Sequence, residues 1–141
     1  MKDARQMRLW TLLVQVRRLR VERKRRVLNA ARVRVERAAA DTARQREAID
    51  GHDARRGGIL DACTTGNIAA ALWRTALHRH DDERHTLDDA LSEALHAEQA
   101  AQTEAANASR ALQREMLGED DARTRVRRLK AEQYDDGDPD E

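Results

Sequence analysis

The chain has few of the residues that build most globular cores. Among its 141 residues there are two Trp, one Tyr, no Phe, one Pro and six Gly. Aromatic side chains give a compact core much of its bulk, and proline breaks helices. Charged residues are abundant instead, at 38% of the chain, together with strong helix formers such as Ala, Leu, Arg, Glu and Gln. This composition predicts long helices or a coiled coil. Because little apolar bulk can wall a pocket, we expect no enzyme, no catalytic residue, no cofactor and no metal site.

Long apolar runs and paired cysteines are also missing. The longest apolar run, around Leu9 to Val16, is too short to cross a bilayer. Arg17, Arg18 and Arg20 follow it, where a secretory signal would have a small-residue cleavage site. The single cysteine, Cys63, cannot form an internal disulfide, which suits a reducing compartment. We therefore expect a cytoplasmic protein that does not insert directly into a membrane.

The formal net charge of +1 conceals two halves of opposite sign. Residues 1–60 hold 17 Lys/Arg and 7 Asp/Glu, whereas residues 61–141 hold 10 Lys/Arg and 19 Asp/Glu. Halves of opposite charge attract each other when they lie side by side, which favours an intramolecular antiparallel pairing. Because two such arms can satisfy each other, we expect a monomer.

A first helix is predicted from about Asp3 to about Ala62. Apolar residues recur along it three and four positions apart, as on one face of a helix. They include Leu9, Leu12, Leu13, Val16, Leu19, Val27, Ala30, Ala31, Val35, Ile49, Ile59 and Cys63. An 11-residue repeat through Leu9, Arg20, Ala31 and Thr42 fits this pattern at least as well as a heptad.

Three glycines interrupt the first helix in the sequence: Gly51, Gly57 and Gly58. Each costs about 1 kcal/mol in a helix interior, so together they could end the helix near Asp50. The apolar pattern resumes in phase after them, which favours a weakened or kinked helix that reaches Ala62. A tip follows at residues 63–67, where Thr, Gly and Asn favour a turn and Asn67 can cap the next helix.

A second helix is predicted from about Ile68 to about Tyr134. From Ala94 a strict heptad seam can be written: residues 94, 98, 101, 105, 108, 112, 115, 119, 122, 126, 129 and 133. Its small side chains allow close approach of two helices but bury little area. Residues 135–141 contain no hydrophobe and predict a disordered acidic tail. The chain is thus expected to be all-α: one elongated, antiparallel two-helix coiled-coil hairpin over residues 1–134.

A basic stretch from Arg17 to Arg37 holds ten Lys/Arg and only two acids. It superficially resembles the basic region of a bZIP protein, but no leucine repeat follows it. Valines interleave with the arginines, which favours a helix that faces another protein. A solvated face remains open, as does a surface for nucleic acid or an anionic membrane.

Two smaller groups lie just after the tip. His78, Asp82 and His85 fall on one helical face, but two turns separate the imidazoles by about 10 Å, too far for one Zn²⁺. A solvated polar face is therefore favoured for them. Leu72 and Trp73 point about 100° apart, so one can pack on the first helix while the other projects outward. Trp is common in interaction hot spots, although local packing is an equally good interpretation here.

Two segments resemble the FliJ/YscO/HrpO family of flagellar and injectisome type III secretion. They are MRLWTLLVQVRRLRVERKRRVLNAARVRVERAAA near the start and CTTGNIAAALWRTALHRHDDERHTL from the tip onward. The family opens with an Arg- and Leu-rich helix of the form L-x-x-V-R-x-L-R-x-E-R, and its second helix carries an aromatic-Arg pair, here Trp73-Arg74. Chain length and the two-helix plan also match, whereas the glycines of the first helix depart from the family pattern.

The resemblance implies a non-enzymatic stalk that couples an ATPase to an export gate. The paired chain ends would enter the pore of the hexameric type III secretion ATPase, and the tip side would contact the cytoplasmic domain of the export-gate membrane protein. Some family members also bind secretion chaperones. Such a stalk is cytoplasmic, at the base of a secretion apparatus on the inner membrane. The ATPase-binding residues would be Arg5, Arg8, Leu9, Leu12, Arg17, Arg123, Arg125, Arg127, Arg128 and Lys130. The export-gate-binding residues would be Ile68, Leu72, Trp73 and Leu77.

Two other functions share the same fold. A basic coiled-coil module could bind nucleic acid through the Arg17–Arg37 stretch, although a stalk is expected to bind none. A chaperone or scaffold coiled coil would differ from a stalk only in the identity of its partner.

Overall fold

The computed structural model describes residues 2–64 and 69–136, nearly all of which belong to two long α-helices. Helix α1 spans Lys2–Cys63 and helix α2 spans Ala70–Asp136. They pack against each other as a helical hairpin, and the described residues contain no strand. The predicted all-α hairpin is therefore confirmed. Neither described helix has a stretch long and apolar enough to span a membrane.

The helix ends agree with the expected ones to within two residues. At the end of α1, the backbone N–H and the hydroxyl of Thr64 both donate to the carbonyl oxygen of Asp61, at 3.2 and 2.8 Å. The rest of the predicted tip, with its Asn67 cap, lies outside the described residues. The predicted acidic tail begins at residue 135, but Asp135 and Asp136 continue α2. Residues 137–141 lie outside the described residues.

Helix α1 runs without a break through its three glycines. A Cβ atom added at Gly51, Gly57 or Gly58 would meet nothing within 4 Å. No close approach of another part of the described chain therefore requires a glycine at these positions. Since the neighbouring seam residues Ile49 and Ile59 are buried and half-buried, packing holds the helix together through this weak segment.

The chain divides into two compact units. The terminal unit combines the described residues up to Arg32 with those from Glu104 onward, and the tip unit runs from Val33 to Thr103. Each unit contains a stretch of α1 and a stretch of α2, which run antiparallel within it.

The seam of the terminal unit has a small apolar centre. Leu28, Ala31 and Ala108 are buried together, and Ala105 and Leu112 pack against them. The seam positions are spaced three and four apart in a heptad: residues 10, 14, 17, 21, 24, 28 and 31 on α1 with residues 105, 108, 112, 115, 119, 122, 126 and 129 on α2. The predicted heptad of α2 is thus buried or half-buried here, except at Gln133, which is exposed.

The predicted 11-residue repeat of α1 is wrong. Its first two members, Leu9 and Arg20, are exposed, and the seam follows Trp10, Val14 and Arg17 instead. The physical reason lies in α2, because two helices that pack along a common seam must keep the same period, and α2 carries a heptad.

The tip unit continues the same spacing. Its buried and half-buried seam positions are residues 35, 38, 42, 45, 49, 52, 59 and 63 on α1 and residues 70, 77, 80, 84, 87, 91, 94, 98 and 101 on α2. The heptad of α2 therefore begins at Ala70 rather than at Ala94. The buried hydroxyl of Thr42 donates to the carbonyl oxygen of Ala38 at 3.1 Å, so a polar seam residue is satisfied within its own helix.

Candidate functional site

The two units carry charge of opposite sign. Residues 2–32 and 104–136 hold 18 Lys/Arg and 10 Asp/Glu, a net charge of +8. Residues 33–64 and 69–103 hold 9 Lys/Arg and 13 Asp/Glu, a net charge of −4. The part of the basic stretch up to Arg32 lies in the terminal unit, together with a nearly neutral part of α2. The excess positive charge is therefore not cancelled within that unit.

Most side chains of the basic stretch face solvent. Only Arg17 and Lys24 among its ten Lys/Arg are half-buried, and the others are exposed. Within the described part of the chain, the following make no ion pair: Arg18, Arg20, Arg23, Arg25, Arg26, Arg32 and Arg37. The attraction expected between the two halves is thus realised at few positions, and this stretch remains available to a partner.

An apolar stripe of four residues lies on the surface of α1. Leu9, Leu12, Val16 and Leu19 are between 44% and 64% exposed. Their spacing of three, four and three residues places them on one helical face. At about 100° per residue, that face is roughly opposite the seam of Trp10 and Val14. The same spacing continues to Arg5 at one end and Arg23 at the other, so cations bracket the apolar stripe.

Arg17 is turned toward α2 rather than into solvent. Its Nη1 lies 3.9 Å from Glu115 Oε2, and its guanidinium occupies the space over Gly118, where a Cβ atom would lie 2.7 Å from Nη1. The absence of a side chain at Gly118 thus makes room for an arginine in the seam. Of the predicted ATPase-binding residues, Arg17 is the least accessible.

The predicted cations of α2 divide into paired and unpaired ones. Arg123 donates to Glu119 at 2.6 Å, and Arg125 lies over the ring of Trp10 at 5.3 Å from its centroid, a cation–π contact between the helices. Arg127, Arg128 and Lys130 make no ion pair with another described residue. Two of them line an open groove, formed by Thr11, Val14, Asp120, Arg123, Val126, Arg127 and Lys130.

The predicted export-gate residues differ in how exposed their side chains are. Leu72 is 75% exposed, and Trp73 is 42% exposed although it follows the seam spacing of Ala70 and His80. Leu77 is half-buried, and Ile68 lies outside the described residues. Of the adjacent pair, Leu72 is thus the side chain that projects outward.

The histidines divide into exposed ones on α2 and a buried pair with one member on each helix. His78, Asp82 and His85 are all exposed, in agreement with a solvated face. His80 instead stacks on His52 of α1, with ring centroids 3.5 Å apart. Sequence reasoning missed this pair because it compared spacings along one helix only. The available signal was that both histidines occupy heptad positions, one on each helix.

Ion pairs between the helices lie next to the histidine pair. Arg56 donates to Asp81 at 3.0 Å, and Arg84 is paired with both Asp53 and Asp88. The hydrogen bond from Arg84 lowers the pKa of Asp53, and the one from Arg56 lowers the pKa of Asp81. Both carboxylates therefore remain ionised at neutral pH and fix how α1 and α2 meet within the tip unit.

Comparisons of the chain with protein-family models, with curated proteins and with solved structures found no match. Function must therefore follow from the chemistry of the surfaces. The terminal unit exposes aliphatic side chains and unpaired guanidinium groups. Groups of these kinds are suited to apolar grooves and to carboxylates.

Proposed function

We propose that this chain is a non-enzymatic stalk of a type III protein secretion system. Its terminal unit binds the hexameric export ATPase, and its tip unit binds the cytoplasmic domain of the export-gate membrane protein. The observation that carries the proposal is the apolar stripe of Leu9, Leu12, Val16 and Leu19, exposed on the basic unit. It adds to the resemblance of the opening and tip segments to the FliJ/YscO/HrpO family.

The apolar stripe is suited to a protein partner. Monomeric proteins rarely leave large aliphatic side chains together on one face, and such faces mark interaction sites. Residues spaced three and four apart on one face are what a helix presents to an apolar groove of another protein. Full burial of one leucine contributes about 1.5–3 kcal/mol, so the loss of one such contact weakens binding by about 10- to 100-fold.

The charge around the apolar stripe indicates what its partner presents. The net charge of this unit, +8 over the described residues and +5 when the acids of residues 137–141 are counted, attracts an acidic surface and speeds its association. Arg5 and Arg8, both exposed, place guanidinium groups at the stripe. A guanidinium can form two parallel hydrogen bonds to one carboxylate, which favours Asp and Glu around the partner's groove.

The tip unit carries the second proposed contact. Leu72 is more exposed than any residue of the apolar stripe, and Trp73 beside it offers a large, partly exposed aromatic surface. An exposed leucine next to a tryptophan forms a compact anchor of the kind that dominates many interfaces. The two proposed contacts therefore lie in different units and can be removed one at a time.

The test is binding to the purified cognate ATPase, together with stimulation of its ATP hydrolysis. We expect the wild-type chain to bind and to stimulate, Leu12→Glu to lose at least tenfold in affinity, and Leu72→Glu to bind the ATPase as the wild type does. The two variants are matched, because each places a carboxylate at an exposed leucine. Absence of binding and stimulation at micromolar wild-type protein, or equal losses in both variants, would contradict the proposal.

A second candidate function is favoured by the exposed basic stretch. Seven of its arginines make no ion pair within the described residues, so a nucleic-acid duplex is a chemically reasonable partner. This candidate predicts duplex binding that weakens steeply as salt rises. No gel shift at about 50 mM salt would exclude it. A chaperone or scaffold role would instead appear as binding to secretion substrates without stimulation of the ATPase.

A further inference from the structure

Three potential metal ligands meet between the helices of the tip unit. His52 comes from α1, and His80 and Glu83 come from α2. The two imidazole rings are nearly parallel, at an angle of 6°, and the side chains are almost fully enclosed, with 3% and 7% exposure of the two residues. Glu83 Oε2 lies 3.7 Å from His52 Nε2, and one ligand atom from each residue lies within 4.8 Å of the others.

The buried imidazole nitrogens lack hydrogen-bond partners. Nδ1 and Nε2 of His52 and Nε2 of His80 are inaccessible to solvent, and none forms a hydrogen bond within the described structure. Buried polar atoms are nearly always satisfied in native proteins, because an unsatisfied one loses its hydration without compensation. Each imidazole can offer one nitrogen lone pair to a ligand, so the two rings together indicate a ligand that binds one nitrogen of His52 and one of His80.

We propose that His52, His80 and Glu83 bind one Zn²⁺ ion between α1 and α2. Imidazole nitrogen and carboxylate oxygen are both zinc ligands, at about 2.0–2.2 Å from the metal. In a tetrahedral site, two such ligand atoms lie about 3.3 Å apart. The observed separations of up to 4.8 Å therefore require side-chain rotations. Because a metal lies in the plane of each imidazole that it binds, the two rings must also turn out of their parallel stacking when the ion binds. Glu83 is free to move, since 60% of its side chain is exposed.

The ligand types select the class of metal. Ca²⁺ and Mg²⁺ bind oxygen and are poorly served by two imidazoles. Zinc and the neighbouring divalent transition metals prefer imidazole. Two histidines and one carboxylate leave a fourth position, which a water molecule fills in sites of this composition.

The surroundings meet two further requirements of a metal site. The ion pairs Arg56–Asp81 and Arg84–Asp53 flank the histidines and hold the two helices in the register that brings the ligands together. An open groove gives access to His52 and Glu83, and Gly51, which also lines it, leaves the entrance clear. The ion pairs thus position the ligands, and the groove lets an ion reach Glu83, the exposed one of the three, first.

Metal binding would connect α1 and α2 at this point of the tip unit. A ligand that binds the folded chain but not the unfolded one raises the melting temperature. We therefore expect Zn²⁺ to raise the Tm of the wild-type chain, and a chelator to reverse the effect. This stabilisation does not depend on any secretion partner, so it tests the site independently of the proposed function.

The experiment is a Co²⁺ titration followed by visible absorption, with Zn²⁺ as competitor, on the full chain. We expect one equivalent to bind with the intense bands of tetrahedral cobalt and to be displaced by Zn²⁺. His52→Gln and His80→Gln should weaken binding at least tenfold, and Glu83→Gln should weaken it without unfolding the chain. The matched controls are His78→Gln and His85→Gln, which remove exposed imidazoles of the same helix.

Each outcome decides the proposal. Loss of binding in Glu83→Gln with helical circular dichroism retained supports the site, even where a histidine variant fails to fold. Absence of binding by the wild type at about 10 µM metal would overturn it, as would equal weakening by His78→Gln and His80→Gln. Binding that survives Glu83→Gln unchanged would also overturn the three-ligand site.

Discussion

The terminal unit and the tip unit share one packing rule but differ in what surrounds it. Both have a heptad seam that mixes alanines with larger apolar side chains and some polar ones. The described residues of the terminal unit have a net charge of +8, an exposed apolar stripe and many unpaired arginines. Those of the tip unit have a net charge of −4, and ion pairs such as Arg56–Asp81 and Arg84–Asp53 join its helices. The difference shows that charges pair between the helices more in the tip unit, and it supports the proposal that the terminal unit binds the ATPase.

The seams also differ in the polar groups that interrupt them. In the terminal unit, Arg17 and Glu115 meet at the edge of the seam, where both keep partial access to solvent. In the tip unit, His52 and His80 are enclosed, and three of their nitrogens have no hydrogen-bond partner in the described structure. Arg17 Nε and Glu115 Oε2 are also buried without a hydrogen-bond partner in the described structure, but these two side chains carry opposite charges that attract each other. The stacked rings of His52 and His80 instead offer nitrogen atoms of the kind that bind a metal. Polar residues at seam positions are therefore accommodated differently in the two units.

The largest expected effect is a loss of stability when a seam side chain is truncated, compared with a side chain of the apolar stripe. Leu28→Ala removes a buried side chain from the centre of the terminal unit and should lower the free energy of unfolding by about 2–3 kcal/mol. Leu19→Ala, an exposed residue of the apolar stripe, should change it by less than about 0.5 kcal/mol. Urea unfolding followed by circular dichroism measures both. Equal losses would show that the apolar stripe is packed rather than free.

Next in size is the effect of the exposed glycines of the tip unit. Gly57→Ala and Gly58→Ala place a methyl group in open space on a helix, so each should stabilise the chain by about 0.5–1 kcal/mol. The double variant should raise Tm further than either single one. A decrease in Tm would contradict an unbroken α1 across this segment, because alanine favours helix over a bend.

A smaller effect is expected from acidification. Because the pKa values of Asp53 and Asp81 are lowered in the folded chain, their pairing stabilises it at neutral pH. That contribution begins to fall near the unfolded carboxyl pKa of about 3.9 and is lost as pH drops through the lower folded values. Arg84→Gln should flatten the dependence of Tm on pH below about 5, whereas Arg79→Gln should not. Equal slopes in both variants would contradict the ion pair of Arg84.

The smallest effect is expected at Gly118 of the terminal unit. Gly118→Ala gains helix propensity, as at Gly57, but its Cβ would lie 2.7 Å from Arg17 Nη1 and displace that guanidinium. The two consequences offset each other, so the change in Tm should be well below that of Gly57→Ala. A full gain, equal to that of Gly57→Ala, would show that Arg17 does not occupy this space in solution.

The sequence predicts the helices better than it predicts their faces. The two helix-forming segments and the turn sequence Thr64-Thr65-Gly66-Asn67 between them are encoded by neighbouring residues, so they can be predicted. The heptad of α2 is also recognisable, because Ala repeats along it. Near the start of α1, two faces are apolar, one through Leu9 and Leu12 and the other through Trp10 and Val14. Only the register against α2 selects between them, which local spacing does not encode.

The candidate sites are likewise predictable where they depend on one helix and unpredictable where they depend on how the two helices align. The basic stretch is visible in composition, and the structure leaves most of it exposed. The pairing of His52 with His80, 28 positions later in the chain, depends on how the helices align and is invisible to motifs along one helix. Arg17 is among the residues expected to bind the ATPase, yet it turns toward α2, because the space above Gly118 appears only when the helices pack.

Hydrogen–deuterium exchange of the chain with and without the hexameric export ATPase tests the central claim most directly. The amides of residues 9–19, which carry the apolar stripe, should gain protection on binding, while those of residues 70–77 should exchange as in the free chain. Protection confined to the tip unit, or no change at residues 9–19 under saturating ATPase, would contradict the assignment of the terminal unit as the binding end.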